Sequence, residues 1–159
     1  MSEPRVKLPL FRQRQPNHNT AARRISILGA TGSVGTSTLD VVRLQPEAYQ
    51  IAALVGGRNV TQMAFLAAEF QPEMIAMGDE QAALALRNQL PRELGHIEIA
   101  GGRQAVLEAS AINVDISIGA ITGFAGLEPV LMAIRSGNDI ALANKEALVC
   151  AGPLVMEMA

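Results

Sequence analysis

Tryptophan is absent from this 159-residue chain, and aromatic residues of every kind make up only 3% of it. Single-stranded nucleic acid is held largely by stacking on such rings, so that class of ligand is disfavoured at once. One cysteine, Cys150, excludes an internal disulfide and a structural zinc site, and points to a reducing compartment, with the cytoplasm as the expected location. The two histidines, His18 and His96, are read as structural or incidental. Long apolar runs are missing as well. Gly, Asn, Lys or Glu interrupts every candidate before the roughly 20 residues of a membrane span, and no internal repeat or low-complexity stretch occurs. What remains is 49% hydrophobic and 18% charged, the make-up of a packed globule of one domain, within the usual range of about 100–200 residues.

Charge divides the chain unevenly. Residues 1–24 hold six basic residues (Arg5, Lys7, Arg12, Arg14, Arg23, Arg24) and one acid, Glu3, whereas the rest carries 7 basic and 14 acidic residues. An acidic body repels a nucleic-acid backbone, which strengthens the exclusion already made. Residues 1–23 are expected to form a basic flexible arm, with an organelle-targeting role as the minor alternative, and residues 24–159 the folded domain.

From Arg24 onward short β-rich runs alternate with segments of helical period, the pattern of an α/β fold with a parallel sheet. Strands are expected at Ile25 to Leu28, Tyr49 to Val55, Glu73 to Met77, His96 to Ala100, Val114 to Ile118 and Asp139 to Ala143. A helix from Ser33 to Gln45 should bury Val34, Val41 and Val42 before Pro46 stops it. The next repeats Val60, Met63, Ala64, Ala67 and Phe70 up to Pro72, and a third starts near Asp79, a candidate N-cap, with Leu84, Leu86 and Leu90 as its apolar residues and Pro91 as its end. A helix near Arg103 to Ala109 follows. Another has Pro129 in its first turn, Leu127, Val130, Leu131 and Ile134 on one face and Gly137 as its stop. Ala147 to Ala159 is helical in pattern without a cap or polar exit, so the chain is expected to be the front part of a longer protein.

Residues 25–35, ISILGATGSVG, run a buried strand directly into three glycines at the start of a helix. A pyrophosphate can bind the free N–H groups and positive dipole end of such a helix, provided no side chain blocks its approach. In the Rossmann-type doubly wound fold, a mainly parallel sheet with helices on both faces, Gly29 makes the tight turn and Gly32 admits the phosphate. Gly35 lets the helix lie close to the strand, while Thr31 and Ser33 can add hydroxyl donors. A plain strand-to-helix turn is the alternative.

No acid stands about 20 residues beyond the glycines, where an NAD-selective site places one for the ribose hydroxyls. The second strand ends instead in Gly56, Gly57, Arg58 and Asn59, and a guanidinium there can pair with a 2′-phosphate, which points to NADP. Otherwise Arg58 is a solvated charge and Asn59 a helix cap. After the last strand come Asn144, Lys145 and Glu146, at the edge where open α/β sheets bind ligands. Lys145 can bind a substrate anion there, or Asn144 merely caps the helix that follows.

The stretches ILGATGSVGTSTLDVVR, ALVGGRNV and ALANKEALVCAG together resemble the 1-deoxy-D-xylulose 5-phosphate reductoisomerase family, in its amino-terminal NADPH-binding domain, over about residues 24–159. The resemblance implies an enzyme that rearranges deoxyxylulose phosphate and reduces the product with NADPH, using Mg or Mn, as a homodimer. It also implies that Thr31, Gly32, Ser33 and Val34 contact the cofactor phosphates, and Gly57, Arg58 and Asn59 its 2′-phosphate end. Asn144 and Glu146 hold the nicotinamide side and Lys145 the sugar phosphate. The family's metal ligands lie beyond Ala159, so this chain is expected to bind NADPH without turnover and to hold no catalytic residue of its own.

Three other classes compete with this one. A thiol-dependent semialdehyde dehydrogenase needs a reactive cysteine, and Cys150 sits in an apolar stretch with no nearby histidine. An extended epimerase needs Tyr-x-x-x-Lys, and the one tyrosine, Tyr49, has Ala53 four residues on. A non-catalytic nucleotide-binding or dimerisation module stays open.

Overall fold

The computed structural model describes residues 21–143. The first 20 residues and the stretch 144–159 lie outside the described residues, and with them Asn144, Lys145, Glu146, Cys150 and the helix expected over Ala147 to Ala159.

Six strands form one sheet: β1 (Arg23–Leu28), β2 (Tyr49–Gly56), β3 (Met74–Met77), β4 (Glu98–Gly101), β5 (Ile116–Gly119) and β6 (Asp139–Leu142). Every pairing is parallel and the spatial order is β4-β3-β2-β1-β5-β6. The helices are α1 (Ser33–Leu44), α2 (Val60–Phe70), α3 (Glu80–Gln89), α4 (Arg103–Ser110) and α5 (Leu127–Arg135). Helices α1 to α3 pack Leu39, Met63, Leu66 and Leu86 against Ile25, Ile27 and Ile75. Ala105 and Ala109 of α4 and Ala133 of α5 cover the other face at Leu28, Val55 and Ala76. The chain therefore forms the doubly wound α/β fold expected of it. Strands buried on both faces read as unbroken apolar runs, as β2 from Ile51 and all of β3 do.

Local chemistry sets the element ends. Asn59 caps α2 by accepting the Gln62 N–H, and Asp79 caps α3 by accepting the Ala82 N–H. Gly137, at φ +80°, ends α5 in the left-handed conformation that costs glycine least. Where expectation and structure differ, helix phase is the cause. Val34 and Val41 are exposed rather than buried, because α1 faces the sheet with Gly35, Leu39 and Val42. Leu84 is likewise exposed, since Ala82, Ala83 and Leu86 carry the buried side of α3. Each strand also shifts at one end or both by a residue or two, while the ends at Leu28, Tyr49, Met77 and Asp139 fall as expected; β1 takes in Arg23, whose N–H donates to Ala48 O.

The amino-terminal edge of the sheet is closed by its own residues. Arg24 Nη2 donates to both carboxylate oxygens of Glu73, at 2.7 and 2.8 Å, and the Arg24 N–H donates to Asp115 Oδ2 at 2.8 Å. Beside it Asn138 accepts the Val114 N–H and donates to Ile112 O and Ser117 Oγ, while Ser117 and Ser26 share a buried hydroxyl bond of 2.7 Å. No described helix is long and apolar enough to cross a membrane.

Candidate functional site

At the carboxyl edge the order of the strands reverses. From β1 the chain steps outward to β2, β3 and β4, then returns through α4 to β5 on the other side of β1. Neighbouring loops part at that switch point, and the crevice left is where ligands of open α/β sheets bind. A cavity of about 470 Å³ opens there, floored by Gly29, Gly32, Gly56 and Gly57. Val106 and Leu107 of α4 wall it on one side, and Ala120, Ile121 and Ala125 on the other.

Two of the turn glycines are required by sterics. Gly29 has φ +105°, and a Cβ on it would stand 2.7 Å from the carbonyl carbon of Ala120. A Cβ on Gly35 would run into Gly29 O and lie 2.7 Å from Ala30 Cα, so α1 can approach the turn this closely only without one. Gly32 is different, because the nearest protein atom to a Cβ there is 3.4 Å away. Its missing side chain leaves room in the cavity instead. The first helical bond of α1 runs from Thr36 N–H to Gly32 O, and the N–H groups of Ser33, Val34 and Gly35 have no backbone acceptor among the described residues. They present a positive helix end with unused donors. Thr31 stands beside them, its hydroxyl 3.6 Å from where a Cβ on Gly56 would be.

Past β2 the backbone at Gly57 is open, since apart from its chain neighbours no described residue comes within 4 Å of a Cβ placed there. Arg58 is 84% exposed, and its Nε donates to Asp79 Oδ2 at 2.9 Å. Asn59 engages Gln62 through both ends of its amide, which leaves it one N–H and one lone pair for a ligand. The Asp79 carboxyl is held below the usual carboxylate range, first by the Ala82 N–H and, against some desolvation, by the charge of Arg58. The structure thus brings Thr31, Gly32, Ser33, Val34, Gly57, Arg58 and Asn59 to one edge of the sheet. Ala143, the last described residue, donates to Gly119 O at the same edge.

Sequence reasoning missed the far wall, with Arg103, Glu128 and Thr122 at its rim. Arg103 grips Glu128 through Nε and Nη2, at 2.9 and 2.6 Å, and so joins the first turns of α4 and α5. The signal that could have found this wall is the end of β5 at Gly119, since a parallel sheet sends every strand's carboxyl end to the same edge. His96 lies elsewhere, exposed beside Glu93 O. Among the described residues no group of three or more His, Cys, Asp and Glu could hold a metal ion.

A parallel, doubly wound sheet with a glycine turn at its switch point defines the Rossmann-type class of α/β domain. Comparison with known proteins narrows this. Over residues 25–152 the sequence matches the family described as 1-deoxy-D-xylulose 5-phosphate reductoisomerase, and the chain belongs to that family. A relative of that name from Ralstonia pickettii (strain 12J) is 48% identical over 135 residues, 84% of this chain and 34% of that protein. The solved 1-deoxy-D-xylulose 5-phosphate reductoisomerase of Zymomonas mobilis in complex with NADPH superposes with a TM-score of 0.81 at 38% identity, over 86% of this chain and 36% of that one. A DOX-P reductoisomerase in complex with NADPH, fosmidomycin and magnesium gives 0.80 at 39% identity, over 86% of this chain and 34% of that one. The chain spans about a third of the length of the relatives it matches.

Proposed function

We propose that this chain is the NADPH-binding portion of an enzyme that converts 1-deoxy-D-xylulose 5-phosphate to 2-C-methyl-D-erythritol 4-phosphate in non-mevalonate isoprenoid biosynthesis. One observation carries the reading. The glycine turn lines a cavity at the switch point with Gly29 and Gly32 and leads directly into the start of α1, whose first N–H groups find no acceptor among the described residues, in the same fold as relatives solved with NADPH. In this reading Thr31, Gly32, Ser33 and Val34 hold the pyrophosphate, through N–H groups and, at Thr31 and Ser33, hydroxyls. Gly57, Arg58 and Asn59 take the 2′-phosphate, with the guanidinium as its cation. Asn144 and Glu146 are assigned to the nicotinamide side and Lys145 to the sugar phosphate, as sequence expectations that lie outside the described residues.

NADPH supplies the hydride when bound. The part of this chain is to bind the cofactor, exclude water from its apolar slot and fix its register along the sheet edge. Magnesium, held by one of the neighbours, finds no fitting cluster among the described residues. The sugar phosphate substrate and a homodimeric assembly belong, in this proposal, to the whole enzyme, with residues 24–159 as its cofactor domain and residues 1–23 as an arm.

Thermal melting of the 159-residue chain tests the reading. Ligand bound only to the native state should raise Tm by about 5–10 °C at roughly a hundredfold excess over Kd. The expected result is a shift with NADPH, a smaller one with NADH, and no consumption of NADPH when substrate and magnesium are added. A cooperative melt moved by neither nucleotide overturns the proposal.

A further inference from the structure

The corner where β2 and β3 end contains an acid that the cofactor reading does not call for. A site for a 2′-phosphate needs a cation and suffers from a free carboxylate, yet Asp79 lies against Arg58. Its two oxygens have separate duties: Oδ1 accepts the Ala82 N–H at 2.9 Å and Oδ2 accepts Arg58 Nε at 2.9 Å. The first bond caps α3, which Ser, Thr or Asn would do as well. The second is not explained by the cap.

The backbone fixes both partners. The Gly78 N–H donates to Gly56 O at 2.7 Å, tying the end of β3 to the end of β2 one residue before Asp79 and two before Arg58. The carboxylate is anchored by the helix it caps and is only 27% exposed, while the guanidinium it holds is 84% exposed. Nε is the one donor that Arg58 uses among the described residues, so the N–H groups of Nη1 and Nη2 stay available. A long, free arginine loses rotamer freedom when it grips an anion; one already held through Nε has lost much of it beforehand. The same ion pair neutralises the acid that would repel a phosphate.

We propose that Asp79 is a positioning residue that holds the Arg58 guanidinium in place for the 2′-phosphate and so widens the preference for NADPH over NADH. The inference rests on the proposed NADPH site. Carboxylate and phosphate never touch; Asp79 acts through Arg58.

The test is a double-mutant cycle on the 159-residue chain, with Kd for NADPH and NADH read by cofactor fluorescence and folding checked by melting. Asp79→Ser keeps an oxygen to cap α3 and removes the contact with Arg58. It should weaken NADPH about threefold to fivefold, the scale of an exposed ion pair, and leave NADH and Tm nearly unchanged. Arg58→Ala should remove most of the preference, and in that background Asp79→Ser should do nothing further to NADPH. An unchanged NADPH to NADH ratio in Asp79→Ser, a tighter NADPH, or an effect that persists without Arg58 overturns the role while leaving the cofactor site standing. Failure of the parent chain to bind NADPH overturns both.

Discussion

The two ends of the same six strands are finished in opposite ways. At the amino edge the polar groups answer one another: Arg24 takes Glu73 and Asp115, and Asn138 takes Val114, Ile112 and Ser117. At the carboxyl edge glycines replace side chains, and the first N–H groups of α1 are left without an acceptor among the described residues. The amino edge saturates its hydrogen bonds internally and so contributes to stability. The carboxyl edge leaves its own unspent, as the proposed nucleotide site requires. One sheet can serve both ends because parallel strands collect all their carboxyl termini on a single side.

The sharpest way to break that contrast is Gly35→Ala. The added Cβ collides with rigid backbone at Gly29 and Ala30, and α1 must back away from the turn at a cost of about 3 kcal/mol or more. Urea unfolding should show the loss, and NADPH should no longer shift the melt, because the displaced helix takes its N–H groups with it. Next in size is Asn138→Ala at the opposite edge. It strands the buried Val114 N–H and the part-buried Ile112 O for about 2 kcal/mol. Here stability should drop while the Kd for NADPH stays as it was; a matching loss of binding would show that the two edges are not separable.

Acid titration gives the smallest effect. Asp79, held by the Ala82 N–H and Arg58, and Glu69, held by Arg43, both have carboxyls lowered below their usual range in the folded chain. A lowered folded value means that their stabilisation is present above the ordinary carboxylate range and fades as pH falls through the folded values. Urea midpoints of the parent and of Asp79→Ser should therefore differ slightly near neutral pH and converge as the pH falls below the ordinary carboxylate range.

Both edges are partly legible in the amino-acid sequence. Pro46, Pro91, Asp79, Asn59 and Gly137 punctuate the helices by mechanisms that act within a few residues, and all of them fall where those mechanisms require. The glycine turn is legible for the same reason. Helix phase is harder. In α1 the sheet-facing stripe is Gly35, Leu39 and Val42, and because the glycine has no side chain to count, Val34 and Val41 draw the apolar face to the wrong side. Least legible are the ion pairs that dress the cavity. Arg58 with Asp79 and Arg103 with Glu128 join residues 21 and 25 positions apart in the chain, and only the strand order brings them together.

The hydroxyl bond between Ser26 and Ser117 spans 91 residues, and so do the pairings of β1 with β5 around it. Contacts of such long sequence separation form slowly, because a large loop must close before it is rewarded. Pairings β1–β2, β2–β3 and β3–β4 need only one short crossover each. Folding is therefore expected to assemble β1 to β4, four of the six strands with the glycine turn included, before β5 arrives to complete the cavity at Ala120 and Ile121. On this order the cavity closes late, and a nucleotide bound there as proposed would stabilise the finished fold without guiding its early steps.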